Sequence, residues 1–176
     1  MKHEKPWHGI MRLLELQVLD IDGSVISEQK NINNLLHQEG EEFLLRAAFT
    51  GGRVSEVIPD NYYLGLDNRQ LVDVDHTMDD LIGEPVGGGY QRQAIQSSGD
   101  FTVNFENSHF RAVSPIVAFR STSGSWGPVS NLFMSDQDGN SGSLITTVTL
   151  QSPIALDPGQ SVTMRIAMTL KEYPTT

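Results

Sequence analysis

The chain is 176 residues long, a length that fits one domain, and it can bury about 70% of its unfolded surface without covalent staples. It has no cysteine, which excludes disulfides, thiolate nucleophiles and cysteine-held metals. Its 22 acidic residues against 12 Lys and Arg give a formal charge of -10, with cations scattered from Lys2 to Lys171, so nucleic acid and anionic membranes are disfavoured partners.

Residues 1–10 carry Pro6, Trp7, His8 and Gly9 without any period and read as an extended N-terminal arm ahead of a single domain over 11–176. Met1–Gly9 lacks the apolar core of a signal peptide, and no stretch approaches the roughly 18 apolar residues of a membrane span. A soluble protein made in a cytoplasm is expected. Trp7 offers large contact area at low entropy cost, either to a partner or to its own domain.

Leu14, Leu16 and Val18 alternate with polar residues as a half-buried strand does. Asp20-Ile-Asp-Gly23 then separates this run from Val25–Gln29, which predicts a hairpin. A helix is expected at about 38–49 despite Gly40, with Asn33 or Asn34 capping it, Glu39, Glu41 and Glu42 near its positive end, and Gly51-Gly52 ending it. Thr77 predicts the cap of a short turn stopped by Gly83.

The remaining signals are strands and turns. Tyr62–Leu66 and Tyr90–Ile95 are apolar runs, and Phe101, Val103 and Phe105 alternate with Thr102 and Asn104. Val113, Val117 and Phe119 share one strand face, with Pro115 implying an edge or a bulge. Val129–Met134 and Leu144–Leu150 follow. The closing run Ser161–Leu170 alternates over five consecutive pairs. Short strands with one early helix indicate a mostly β fold, an antiparallel sandwich or jelly roll.

Reactive motifs are sparse. The five histidines have no metal-binding spacing, and no Gly-x-Ser-x-Gly elbow exists. Gly87-Gly-Gly89 lacks the strand-to-helix context of a phosphate loop and reads as a flexible loop. Asp136-Gln-Asp-Gly-Asn140 starts like a calcium loop, but Ser141 stands where Gly is needed and Thr147 where a bidentate Glu is needed, so an ordinary hairpin loop is the simpler reading. Neither a catalytic residue nor a cofactor is expected. Aromatics beside turns, namely Trp7, Tyr62, Tyr63, Tyr90 and Trp126, read either as contact residues or as plugs for one end of a sandwich.

The order of longer motifs carries a likeness. These are Asn31-Ile-Asn-Asn-Leu-Leu-His-Gln-Glu-Gly-Glu-Glu-Phe-Leu-Leu45, Tyr62-Tyr-Leu-Gly-Leu-Asp-Asn-Arg69, Gly83-Glu-Pro-Val-Gly-Gly-Gly-Tyr-Gln-Arg-Gln-Ala-Ile95, Ser125-Trp-Gly-Pro-Val-Ser-Asn-Leu-Phe133 and Met164-Arg-Ile-Ala-Met-Thr-Leu170. Over about residues 10–171 the chain resembles small structural proteins of tailed bacteriophages. The resemblance implies a virion component and brings no catalytic residues.

The expectation is a capsid decoration, or cement, protein: a homo-oligomer, taken as a trimer, that binds and stabilises the lattice of the major capsid protein. Pro6, Trp7, His8, Tyr62, Tyr63 and Trp126 are its candidate partner-binding residues. A tail or tail-fibre-associated adaptor is the alternative. A calcium-assisted carbohydrate-binding module, using Asp136, Asp138 and Asn140 with Trp126 as sugar platform, is the rival outside the virion class.

Overall fold

A computed structural model describes residues 8–49, 58–81, 83–106 and 109–171. Two antiparallel sheets pack face to face as a β-sandwich, in line with the alternating apolar patterns of the sequence. The first holds β1 (His8–Leu19), β2 (Val25–Asn33), β6 (Thr102–Glu106), β7 (His109–Val113), β8 (Val117–Arg120) and β11 (Ser161–Lys171), in the order β2-β1-β11-β7-β6 with β8 also paired to β11. The second has the order β3-β10-β9-β4-β5, from β3 (Leu35–Leu36), β4 (Asn61–Asp67), β5 (Gln93–Gln96), β9 (Trp126–Ser135) and β10 (Leu144–Leu156). Leu16, Val18, Val162, Met164 and Ile166 of the first sheet meet Leu64, Leu66, Leu132, Met134 and Val148 of the second in one core.

Local chemistry explains the elements. The expected β1–β2 hairpin turns at Gly23, whose φ of 85° is open to glycine at little cost. A register shift between Leu13 and Glu15 changes the inward phase of β1, so Leu13 and Leu16 are buried while Leu14 is only half-buried. Ser114-Pro-Ile116 is a bulge: Val113 pairs with Ala167 and Val117 with Met164, so β7–β8 carries one residue more than β11 over that stretch. The Ser114 hydroxyl accepts the Ile166 N–H at 3.1 Å, which satisfies the ladder where Pro115 interrupts it.

Helix α1 (Gln38–Phe49) lies on β10. Gly40 is the residue that permits this, since a Cβ there would collide with the Ile145 carbonyl. The expected asparagine caps are not used. Asn33 belongs to β2, the Asn34 side chain donates to Thr146 Oγ1, and Glu39 accepts the Leu144 N–H at 2.7 Å. The expected terminator Gly51-Gly52 lies outside the described residues. A 3-10 turn over Met78–Asp80 follows Thr77, whose N–H and hydroxyl both donate to the Asp80 carboxylate.

The segment from Asn68 to Arg92 covers the outer face of the second sheet. There Met78 and Leu81 pack on Phe133 and Leu144, with the Arg92 guanidinium 5.0 Å from the Phe133 ring centre. Two readings of the sequence change. His8–Ile10 already pairs with β11 as part of β1, so these three residues do not belong to the arm read over 1–10. Gly87–Gly89, read as a loop, is tied down at its second residue: all three have positive φ, the Gly88 carbonyl accepts the Thr122 N–H at 2.7 Å, and a Cβ on Gly88 would lie 2.6 Å from Trp126 Nε1.

Candidate interaction surface

The richest polar cluster lies beneath the segment that covers the second sheet. Asp67 and Arg69 form an ion pair at 2.8 Å, with both side chains almost wholly out of solvent. Burial pushes the Asp67 carboxyl up, against the pull of the Arg69 charge. Arg69 Nη1 donates to the Asp80 carbonyl at 3.1 Å and to His76 Nδ1 at 3.2 Å. His76 Nδ1 also accepts the Asp73 N–H at 3.1 Å. Both partners can only donate, so this nitrogen holds a lone pair and the proton sits on Nε2. Asn131 completes the set by donating to the Arg69 carbonyl and accepting from Thr149 Oγ1.

His37 is fully buried, with its Nε2 3.0 Å from Thr147 Oγ1. Burial pushes its imidazole down to about 4, helped by the positive charge of Arg69, so it is neutral at pH 7. Asp67 and His37 present no surface on which a substrate could act. The cluster binds a chain segment to a sheet. Its chemistry is structural.

The Asp136–Asn140 stretch belongs to the β9–β10 hairpin connection. Asp136 Oδ1 accepts the Ser143 N–H at 2.7 Å. Arg92 donates to Asn140 Oδ1 at 2.7 Å and to the Gly139 carbonyl at 2.9 Å, while its other hydrogen bonds go to Glu84. Glu84 in turn accepts the Tyr90 hydroxyl at 2.8 Å. The Asn140 oxygen is thus directed at a guanidinium. Among the described residues, no three His, Asp or Glu side chains converge as a metal site.

The aromatics divide between plug and surface. Trp126 is 3% exposed, edge-on to Tyr90 with ring centres 5.5 Å apart, and Tyr90 stacks on Phe119 at 6.1 Å. These rings, held by the triglycine tie, close one end of the sandwich. Trp126 therefore offers neither a partner contact nor a sugar platform. Tyr62 is half-buried between Phe43 and Phe101, edge-to-face with each at 6.0 Å. Tyr63 is half-buried on the outward side of β4, opposite Ser135. Pro6 and Trp7 lie outside the described residues, and the backbone of His8 pairs with Lys171.

The opposite end is open, and sequence reasoning did not single it out. Register places Met11, Met168, Ala112 and Val103 in one row across the inner face of the first sheet. Exposure climbs along that row, from buried Met11 through half-buried Met168 and Ala112 to Val103 at 66%. The next inward pair, Phe105 and Phe110, is 65% and 68% exposed, with ring centres 5.0 Å apart.

Facing these residues, Leu36, Leu44 and Ile145 form the other wall of an apolar groove of about 570 Å³. The inner face of one sheet thus runs past the cover provided by the other. Contiguous apolar surface of this kind is uncommon on a lone soluble domain. Protein-family models, curated proteins and solved structures were each compared with the chain, and none matches it.

Proposed function

We propose that this chain is a structural component of a tailed-phage particle, a capsid decoration protein that acts by packing against neighbouring proteins. The observation that carries this reading is the open end of the sandwich, where Val103, Phe105 and Phe110 project core-type side chains into solvent beside an apolar groove. Folding pays for such exposure unless another surface covers it. Two further features support it. The prominent polar clusters are consumed in holding the fold, and the motif order over about residues 10–171 resembles that of small phage structural proteins.

The mechanism is burial and avidity. One standard interface covers on the order of 1,600 Å², and repetition over a symmetric shell multiplies modest contacts into durable binding. The major capsid protein is the proposed lattice partner. The test is to purify particles produced by the genome that encodes this chain and quantify it by mass spectrometry, then separate heads from tails. Many copies per head are expected. Absence from particles, or turnover of a small substrate by the free chain, contradicts the reading, while recovery with tails alone moves the chain to an adaptor role.

A further inference from the structure

We infer that the occupant of the open end is a second copy of this chain, joined edge to edge through β6 across a two-fold axis. The inference rests on the preceding reading of that surface and names its partner.

The four strands that end the two sheet orders differ in how they resist pairing. β2 carries Glu28 and Lys30, which pair at 2.8 Å, and then Asn31 with a φ of 55°, a charged and irregular edge. β3 is two residues long, and β5 has four residues, Gln93–Gln96, with a Gln at each end. β6 is guarded least, its single charge being Glu106 at one end, held by Arg111 of β7. Its five residues, Thr102–Glu106, pair only with β7 among the described residues, contain neither Lys nor Pro, and are exposed throughout.

Charge does not oppose a like partner at this place. The molecule carries -10, so two copies repel in general. Over residues 101–116, however, the only formal charges are Glu106 and Arg111, which form an ion pair with each other. This local neutrality removes the penalty that the rest of the surface imposes.

The strand is also self-complementary. An antiparallel register centred on Asn104 pairs all five residues, setting Val103 against Phe105 of the second copy and Thr102 against Glu106. Both apolar contacts fall on the inward face, beside Phe110 of each copy. At 65% and 68% exposure, Phe105 and Phe110 offer roughly 250 Å² per copy, so a symmetric pair covers about 500 Å² of aromatic surface. Val103, the strand edges and the groove rims extend this toward the roughly 1,200 Å² at which specific interfaces begin. The result is one continuous sheet across two copies, and a two-fold assembly in place of the trimer expected from sequence.

Sedimentation velocity on the full chain tests this, with Val103→Lys/Phe105→Lys as the paired variant and thermal melting as the check on folding. The wild-type chain is expected at twice its 19.4 kDa mass and the variant at one. Because the chain has no cysteine, Asn104→Cys supplies an independent reading even if the lysine variant does not fold. Residues on a two-fold axis of paired strands lie about 4.5–5.5 Å apart, within disulfide range, so mild oxidation should give a covalent dimer. Ser27→Cys on the β2 edge should not.

A wild-type monomer at tens of micromolar, a trimer, or a dimer that keeps its mass in the lysine variant and does not cross-link through position 104 overturns the inference. Particle content is measured separately. A monomer found in heads sinks only the dimer, and a dimer missing from particles sinks only the particle reading.

Discussion

His37 shows at the residue scale how burial sets chemistry here. Its imidazole is pushed from 6.5 to about 4, so between these values the unfolded chain takes up a proton that the folded chain refuses. The unfolded state therefore gains stability as pH falls through that window, and the fold loses up to about 3 kcal/mol from this group. Urea unfolding of wild type and His37→Gln at a series of pH values checks the sign. Wild-type stability should decline from pH 6.5 to 4 more steeply than that of the variant, and parallel profiles would contradict the assignment. His37 was visible in the sequence only as a histidine without a metal partner. Its burial depends on Thr147, which is 110 residues away, and no local spacing reports such a contact.

At the scale of elements, periodicity read the strands well and their surroundings poorly. The alternation of Phe101, Val103 and Phe105 correctly predicts a strand with one apolar face. It cannot say how far the opposing sheet reaches, and here the cover ends after Phe101. Trp126 is the converse. Flanked by Gly and Ser, it reads equally as contact or plug, and the stack of Tyr90 and Phe119 from distant elements makes it a plug. The triglycine shows the same limit: three successive glycines look like freedom until Thr122 and Trp126 are seen against Gly88 and Gly89.

These environments predict opposite costs for the same kind of change. Phe119→Ala should destabilise the fold by about 3–5 kcal/mol by opening a cavity behind Tyr90. Phe105→Ala should cost under about 1 kcal/mol in dilute monomer, since an exposed ring has little packing to lose. Chemical denaturation at low protein concentration distinguishes them, and equal costs would mean that the β6–β7 hairpin is packed within the molecule after all.

At the scale of the whole molecule, the two ends of the sandwich carry the argument. One is closed by aromatic rings and a glycine tie, and the other leaves core-type residues uncovered. The sandwich itself was legible from alternation and turn residues. The polarity between its ends was not, because it arises where strands from distant parts of the chain stop relative to one another.

Co-sedimentation shows whether this molecule works through surfaces covered by neighbours. Wild type and the folded Val103→Lys/Phe105→Lys variant are each mixed with shells built from the major capsid protein of the same genome. Wild type should bind saturably, and the variant, deprived of the paired β6 edge and of the avidity of a dimer, should bind more weakly. Shells that take up neither protein would refute it.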